Sequence, residues 1–358
     1  MERSQNHFWL NWFIFLVGII LVLIARALKI DDGGGDSDVV RVFSHVGIGM
    51  IAYAPIRLLI FGYGWYEDYK KGKSIAKLFR SSVRVVKSIS DMPILFASDI
   101  DGCIVPPNRA EVDLVKFARL RRYCEFVKEH KEYPQVIFFT GRSQGYVELL
   151  AQSLGMVGSS VDVPFVIENG AALYLPTAKK TIPLISTSQV LDIISVRQFL
   201  GEKFSNNEFE PKSYMVTLNP IGEVIEKVKG ETVDELREKV TLELKDKGLL
   251  EKVVITSTAS SVDISPKDVN KLSGLIKALE YLPKDGAPAP LKKVVGFGDQ
   301  IADLRVLRAA GRAYCPIDSH KEVRDFVTKE FGSEHIVELP HIDFVVSIIE
   351  RECGLKIV

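Results

Sequence analysis

Two carboxylates at the end of an apolar run are the side chains of this chain best placed to do chemistry. Asp99 and Asp101 follow the apolar residues 94–97 and precede Gly102. Side chains two positions apart on a strand share a face, so both carboxylates can converge at the C-terminal end of a buried strand, where open α/β sheets bind ligands. They would repel each other unless a cation or a shared proton lay between them, and Mg²⁺ is a hard cation that prefers oxygen ligands. The same residues are typical of an Asx turn, so the pair alone leaves a catalytic site and a turn both open.

A hydroxyl and a glycine end a second apolar run. Thr140 and Gly141 follow residues 136–139, at a point where a strand would give way to a helix. The hydroxyl and the free backbone N–H groups at a helix start can bind phosphate, although Thr is also an ordinary helix cap. A third apolar run, residues 164–167, is followed by Asn169 and a glycine, and this pair by itself indicates only a turn.

A lysine and a further pair of carboxylates complete the set. Lys271 begins a predicted helix, where the helix dipole disfavours a cation unless an anion lies nearby; a surface lysine is the alternative. Asp299 and Asp303 follow a fourth apolar run and lie about one helical turn apart, so they could face one cation. The alternative is a helix N-terminus that carries acidic residues, which the dipole favours.

The elements that must position these groups alternate between strands and helices from Asp91 onward. Short apolar runs alternate with segments of helical periodicity such as residues 114–131, which predicts an α/β fold. A separate α+β insert without a chemical motif interrupts this pattern. We predict four regions: a membrane anchor with a basic juxtamembrane helix (1–90), the first part of the core (91–178), the insert (179–262) and the second part of the core (263–358).

The order of the motifs resembles a known family. An Asp-x-Asp pair, Thr-Gly, a lysine before a helix and Gly-Asp-x-x-x-Asp follow one another at predicted strand ends, as in the haloacid dehalogenase superfamily of phosphatases. The resemblance covers the chain from about Asp91 to the C-terminus. The Glu-Asn-Gly-Ala segment at residues 168–171 and the place of the insert resemble, more narrowly, the Cof-type branch, which includes sucrose-phosphate, mannosyl-3-phosphoglycerate and archaeal phosphoglycolate phosphatases. The resemblance implies a Rossmann-like core with a parallel sheet and an inserted α+β cap that selects the substrate.

The resemblance also implies a role for each motif residue. Asp99 would be the nucleophile that forms an aspartyl-phosphate, and Asp101 the general acid and then the general base. The residues that would hold the phosphoryl group are Thr140, Gly141 and Lys271. The Mg²⁺ ligands would come from Asp99, Asp101 (through its carbonyl), Asp299 and Asp303. Candidate contacts to the rest of the substrate are Arg142 and Asn169.

Three positions qualify the resemblance. Lys267 competes with Lys271 for the role of the phosphate-binding lysine, but the Pro-x-x-Val-x-Lys spacing favours Lys271. Cys103 stands where the family usually has Thr, and Ala302 stands where this branch usually has Asn. The loss of the Asn removes a polar group near the predicted metal.

The first ninety residues indicate a membrane. Residues 8–28 are almost wholly apolar, long enough for a transmembrane helix of about 20 residues; a signal peptide cleaved near residues 25–27 is the alternative. Residues 43–66 form a second apolar stretch, either a second span or an interfacial segment. Residues 70–87 are basic with apolar positions at near-helical spacing, which indicates a helix on an anionic lipid surface or a solvated linker helix. The positive-inside rule places the catalytic domain in the cytoplasm.

Composition sets broader limits. The 358 residues predict about two domains. Lysine and arginine together number 46, as do aspartate and glutamate, so the net charge gives no indication of a nucleic-acid partner. The four cysteines are scattered without a Cys-x-x-Cys motif, which argues against a zinc site or a disulfide framework and fits a reducing compartment.

These observations lead to one principal hypothesis. We predict a membrane-anchored, Mg²⁺-dependent phosphate monoesterase acting on a small phosphoester, with a sugar phosphate or a glycosyl-phosphoglycerate as the substrate class. A phosphosugar mutase of the same superfamily and an inactive, membrane-tethered binding domain are the alternatives. An inactive domain would have no chemical need for all of the motif residues together.

Overall fold

The apolar runs of the sequence form short strands. The structure is a computed structural model that describes residues 83–86, 91–106, 113–158, 164–221, 231–258, 260–284, 287–288 and 290–358. The strands within these ranges are β1 (Val83–Val85), β2 (Leu95–Ser98), β3 (Gln135–Phe138), β4 (Phe165–Ile167), β5 (Ala172–Leu175), β6 (Lys180–Pro183), β7 (Glu208–Phe209), β8 (Val216–Asn219), β9 (Val253–Ser257), β10 (Val262–Pro266), β11 (Pro283–Lys284), β12 (Ala287–Pro288), β13 (Val294–Phe297), β14 (Arg312–Pro316), β15 (Ile336–Val337) and β16 (Leu355–Ile357).

Helices lie between the strands at the places that the periodicity predicts. They are α1 (Leu114–Glu129), α2 (Gln144–Ser153), α3 (Thr187–Lys203), α4 (Val233–Asp246), α5 (Lys271–Leu279), α6 (Leu304–Ala309), α7 (Lys321–Phe331) and α8 (His341–Cys353). Several begin at polar caps: the side chains of Ser186, Thr232 and Asn270 accept hydrogen bonds from backbone N–H groups three residues on. Such caps satisfy N–H groups that have no partner within the helix.

A parallel sheet in the order β15-β14-β13-β2-β3 forms the centre of the core. The side chains of β2 and β13 are fully buried, as expected for parallel strands covered on both faces. The sheet confirms the predicted α/β fold with a parallel sheet.

A hairpin continues the core beyond β3. Phe139 forms a parallel bridge with Val166, which brings β4 beside β3, and β4, β5 and β6 then pair antiparallel. From the sequence we predict that the insert begins at about residue 179, and the return strand β6 is not predicted. The turn between β5 and β6 contains neither Gly nor Asn, and Lys179 adopts the left-handed conformation instead (φ 50°), so the usual signal of a hairpin turn is missing.

The insert contains a second sheet. Its strands lie in the order β7-β8-β10-β9, all antiparallel, and helices α3 and α4 pack on it around a separate apolar cluster that includes Ile193, Leu236 and Ile264. We call residues 187–266 the cap. The predicted region boundaries at residues 179 and 262 stay predictions, although β10 carries the cap sheet on to Pro266.

Most of the predicted membrane region lies outside the described residues. The apolar stretches at residues 8–28 and 43–66 lie there, as does the predicted basic helix except at its end. At that end the prediction is wrong: residues 83–85 form β1, which pairs antiparallel with β16, because β-branched valines and a free strand edge favour pairing over helix. Among the helices that the structure describes, none is long and apolar enough to cross a membrane.

Candidate active site

The predicted site residues meet because their strands are neighbours. Strands β13, β2 and β3 lie side by side and run parallel, so their C-terminal ends form one edge of the sheet. Asp299, Asp99 and Thr140 follow these three strands, respectively. Asp99 is tied to the neighbouring strand by its own N–H, which donates to the carbonyl of Phe297 at 2.9 Å.

Lys271 is the centre of a buried ion-pair network. Its Nζ lies 2.9 Å from Oδ2 of Asp99 and 2.7 Å from Oδ1 of Asp303. Lys271 and Asp99 are each 5% exposed, and Asp303 is fully buried. Burial by itself would lower the pKa of the lysine, but the two carboxylates outweigh it and raise that pKa above its usual value. The lysine is therefore charged, and it neutralises part of the acidic cluster.

Asp99, Asp299 and Asp303 form a cluster with the character of a cation site. One oxygen from each carboxylate lies within 4.8 Å of the others, and Oδ1 of Asp299 is buried without a hydrogen-bond partner. Gly102 is required beside them: it has a φ of 76°, and a Cβ there would lie 2.3 Å from Oδ2 of Asp299. A hard divalent cation such as Mg²⁺ fits this set of oxygen donors, and it would satisfy the unpaired oxygen.

The cluster is costly to ionise without a cation. Burial, together with the charges of Asp303 and Asp101, raises the pKa of Asp99 to about 7 despite the opposing effect of Lys271. Burial and the charges of Asp303 and Asp99 raise the pKa of Asp299 to about 8. Both carboxylates are thus held in a site that favours their neutral forms until positive charge is added.

This predicts an inverted pH dependence of stability for the metal-free protein. Both carboxyl groups have folded pKa values above the usual 3.8, so the folded state binds more protons than the unfolded state, and stability is lost as pH rises from about 4 through about 8. In EDTA we expect the urea midpoint to be lower at pH 8 than at pH 5. Saturating Mg²⁺ should raise the midpoint mainly at pH 8. In Asp299→Asn the decrease between pH 5 and pH 8 should be smaller, and an unchanged slope would contradict this account.

Asp101 takes part in a different pair. Its two carboxylate oxygens accept from Nε and Nη2 of Arg142 at 2.8 and 2.6 Å, and this hydrogen bonding raises the pKa of Arg142. The Arg142 guanidinium also lies 4.7 Å from the ring centroid of Tyr146. The backbone N–H of Arg142 donates to Oγ1 of Thr140 at 3.1 Å. The side chain of Asp101 thus points to an arginine and not to the three-carboxylate cluster.

Asn169 lies between the core and the cap. Its backbone N–H donates to the carbonyl of Thr140 at 2.9 Å, and its side-chain amide donates to Oδ2 of Asp263 on β10 at 3.2 Å. The preceding residue, Glu168, is 1% exposed and accepts hydrogen bonds from the backbone of the cap. From the sequence, Glu168 is notable only as the first residue of the Glu-Asn-Gly-Ala segment at residues 168–171, and no separate role is predicted for it.

The structure decides between the two candidate lysines and clarifies the departures from the motifs. Lys267 is exposed and pairs with Glu251, so only Lys271 reaches the cluster. Cys103 is fully buried, and burial, followed by the charge of Asp299, raises its thiol pKa well above the usual range. Beside Ala302, the amide of Gln300 donates to Oδ2 of Asp299 at 2.5 Å; this polar contact was not predicted.

The core is a parallel sheet with an acidic, lysine-containing site at its C-terminal edge, and an antiparallel cap is inserted into this core. These features define a capped α/β protein with a Rossmann-like core. Residues 197–335 match the sequence model of the haloacid dehalogenase-like hydrolases. This segment contains Lys271, Asp299 and Asp303, whereas Asp99 and Thr140 precede it. No curated protein matches the sequence significantly.

Solved structures share the fold at low sequence identity. The sucrose-phosphatase of Synechocystis sp. PCC6803, solved in complex with sucrose and phosphate, is 15% identical with a TM-score of 0.50 over 73% of this chain and 98% of that chain. A haloacid dehalogenase-like hydrolase from Bacteroides thetaiotaomicron gives the same identity and TM-score over 72% of this chain and 98% of that chain. The match to the family model over residues 197–335 confirms the resemblance to the haloacid dehalogenase-like hydrolases and the prediction of an enzyme, and the solved structures show the shared fold.

Proposed function

We propose that the protein is a Mg²⁺-dependent phosphate monoesterase that acts through an aspartyl-phosphate on Asp99. The observation that carries the proposal is the arrangement of Asp99 at the C-terminal edge of the sheet, held by Lys271 and facing Asp299 and Asp303. A carboxylate can approach an anionic phosphate only where positive charge offsets the repulsion between them. The buried lysine supplies part of that charge, and a divalent cation held by the three carboxylates would supply the rest.

The reaction divides into two displacements. In the first, a carboxylate oxygen of Asp99 bonds to phosphorus while the bond from phosphorus to the leaving oxygen breaks, and Asp101 gives its proton to that oxygen. In the second, Asp101 takes a proton from water as the water oxygen bonds to phosphorus, and the carboxylate of Asp99 is released. A covalent intermediate replaces one difficult step by two easier ones, and a positioned carboxyl group serves as acid and then as base.

Asp101 must leave its arginine before it can act in this way. In the structure both of its oxygens accept from Arg142, so both are occupied by N–H donors. We propose that the bound substrate draws Arg142 away, so that Asp101 is free to carry a proton. Arg142 and Asn169 would then contact the substrate, while the Thr140 hydroxyl and the Gly141 N–H would hold phosphoryl oxygens.

The cation belongs to the same proposal. Asp99, Asp299 and Asp303 are the side chains that would hold Mg²⁺, with the Asp101 carbonyl as the further ligand that the family resemblance implies. When bound, the ion supplies charge that offsets the repulsion between the nucleophile and the phosphoryl group. Gln300 donates to Asp299 and so orients one of these carboxylates.

Location and substrate class are also proposals. Three proposals rest on the sequence alone: anchoring through residues 8–28, contact of the basic segment with membrane lipid, and a catalytic domain that faces the cytoplasm. A sugar phosphate or a glycosyl-phosphoglycerate is the substrate class that the Cof-type resemblance favours.

Phosphate release by the full chain tests the proposal. The panel would contain sugar phosphates, glycosyl-phosphoglycerates, phosphoglycolate and p-nitrophenyl phosphate. We expect release from at least one compound with Mg²⁺, a fall to background in EDTA because the acidic cluster is then unneutralised, and recovery when Mg²⁺ is restored. Release that is equally fast in EDTA would contradict the metal dependence. Transfer of phosphate to a sugar without release would indicate a mutase, and a folded, Mg²⁺-binding protein inactive on the whole panel would oppose the proposal.

A further inference from the structure

We propose that Glu168 is a positioning residue that joins the cap to residues 140–142, which we call the phosphate-binding loop, and holds the two in a fixed relative position. Glu168 belongs to the core, where it directly follows β4. Its carboxylate accepts from the N–H groups of Ser213 and Tyr214, which lie in the cap between β7 and β8. These contacts are 2.9 Å from the Ser213 N–H to Oε1, 3.0 Å from it to Oε2 and 2.6 Å from the Tyr214 N–H to Oε2.

The cap loop that Glu168 binds is itself fixed to the body of the cap. Nη2 of Arg197, on helix α3, donates to the carbonyls of Lys212 and Met215 at 2.5 and 2.9 Å. The ring of Tyr214 packs against the apolar cluster of the core. A displacement of the cap must therefore either carry this loop with it or break its bonds to Glu168.

On the side away from the cap, the turn that carries Glu168 is hydrogen-bonded to the phosphate-binding loop. The N–H of Glu168 donates to the carbonyl of Arg142 at 3.1 Å, and the N–H of Asn169 donates to the carbonyl of Thr140 at 2.9 Å. Thus the residue that binds the cap also touches the residue that holds Asp101. Two successive backbone hydrogen bonds join the turn to the Thr140–Gly141–Arg142 segment.

The same turn lies against the start of helix α5, whose first residue is Lys271. A Cβ at Gly170, which has a φ of 98°, would lie 2.1 Å from the carbonyl oxygen of Asn270, the residue before Lys271. Glu168 and Asn169 also have positive φ values, 48° and 56°, a conformation that costs non-glycine residues energy and persists where surrounding contacts impose it. One strained turn thus contacts the cap, the phosphate-binding loop and helix α5.

The chemistry of Glu168 explains why a carboxylate is needed. The group is 1% exposed, and burial raises its pKa while the N–H groups of Ser213 and Tyr214 and the charge of Lys212 oppose that shift. Both oxygens are acceptors that face N–H donors. In Glu168→Gln one oxygen becomes an NH₂ group, and in either orientation of the amide this donor faces the N–H of Ser213.

Hydrogen exchange and kinetics on the full chain test the role together. In the wild type we expect the amides of Ser213 and Tyr214 to be protected from exchange. In Glu168→Gln they should exchange about tenfold faster or more, because the loss of a charge-assisted hydrogen bond makes local opening of this loop easier. With p-nitrophenyl phosphate and Mg²⁺ we expect kcat/KM of Glu168→Gln to fall about tenfold or more, because the cap and the phosphate-binding loop no longer hold a fixed relative position. Glu168→Asp keeps the charge but shortens the reach, and it should show the same two effects.

A matched variant separates positioning from general stability. Glu352 is another buried carboxylate, but its partners are Tyr314 and Arg312, both in the core. Glu352→Gln should lower the melting temperature while leaving the exchange at Ser213 and Tyr214 and the kcat/KM of the folded protein as in the wild type. If both variants lowered kcat/KM equally, the proposed role of Glu168 would be wrong.

Other outcomes are equally decisive. The proposed contact between Glu168 and the cap would be wrong if the amides of residues 213 and 214 were unprotected in the wild type. It would also be wrong if their exchange were unchanged in both Glu168 variants. Faster exchange with unchanged kcat/KM would overturn the positioning role of Glu168. This inference rests on the proposed function only for the kinetic readout: a wild type inactive on every phosphoester would refute the phosphatase, while the exchange measurement would still test the contact between Glu168 and the cap.

Discussion

Asp99→Asn is expected to abolish phosphate release, lowering kcat by about 10³-fold or more, the scale on which loss of a nucleophile acts. An amide oxygen is a poor nucleophile, so the aspartyl-phosphate cannot form. The substitution preserves shape and keeps an oxygen that can accept from the N–H of Ile100, as Oδ1 of Asp99 does at 2.8 Å. The variant should therefore fold and still bind substrate.

The measurement is phosphate release at saturating substrate and Mg²⁺, with circular dichroism to confirm folding. Asp192→Asn is the matched control, since Asp192 lies in the cap and pairs only with the exposed Lys252 among the ion pairs of the described residues. It should retain wild-type kcat. If Asp99→Asn retained more than about a tenth of the wild-type rate, an effect of barely 1.4 kcal/mol, Asp99 would not be the nucleophile.

Lys271→Met is expected to lower the free energy of unfolding in EDTA by about 3–5 kcal/mol, the cost typical of removing one partner from a buried ion pair. The substitution leaves Asp99 and Asp303 without their cation, in a site where both are almost fully buried. The loss should be smaller at pH 5 than at pH 8, because Asp99, whose pKa is raised to about 7, takes up a proton at the lower pH. Mg²⁺ should restore part of the stability through binding to the folded state.

Urea unfolding in EDTA, and again in saturating Mg²⁺, measures this effect. Lys267→Met is the control: this lysine pairs with the exposed Glu251 at the surface, and an exposed ion pair contributes about 0–1 kcal/mol. Equal decreases in the free energy of unfolding in the two variants would contradict the proposed role of Lys271 in stabilising the acidic cluster. Phosphate release by Lys271→Met should also fall sharply, because no other described lysine reaches Asp99.

Much of the candidate site was predictable from local patterns. Asp99, Thr140 and Asp299 each follow a continuous apolar run, and such runs indicate buried parallel strands whose C-terminal ends share one edge. The helices were also predictable, because their periodicity and caps are local. The roles of these residues in catalysis stay predictions until they are measured.

Long-range pairing set the limits of prediction. The β5–β6 hairpin turns through Lys179 without the usual glycine, and β1 forms only because residues 83–85 meet the C-terminal strand. The distance between Asp101 and Arg142, and that between Gln300 and Asp299, depend on rotamers and loop paths that no spacing in the sequence specifies.

By itself, the sequence predicted which groups could do the chemistry and determined on which strand ends they lie, since burial and periodicity depend on neighbouring residues. Only the tertiary structure decided that Lys271 and not Lys267 reaches the carboxylates, that Asp101 faces an arginine, and that Glu168 contacts the cap. These choices depend on which surfaces meet when the sheet and cap assemble. Contacts between residues as far apart as Asp99 and Lys271 arise from packing, and packing is a property of the whole fold.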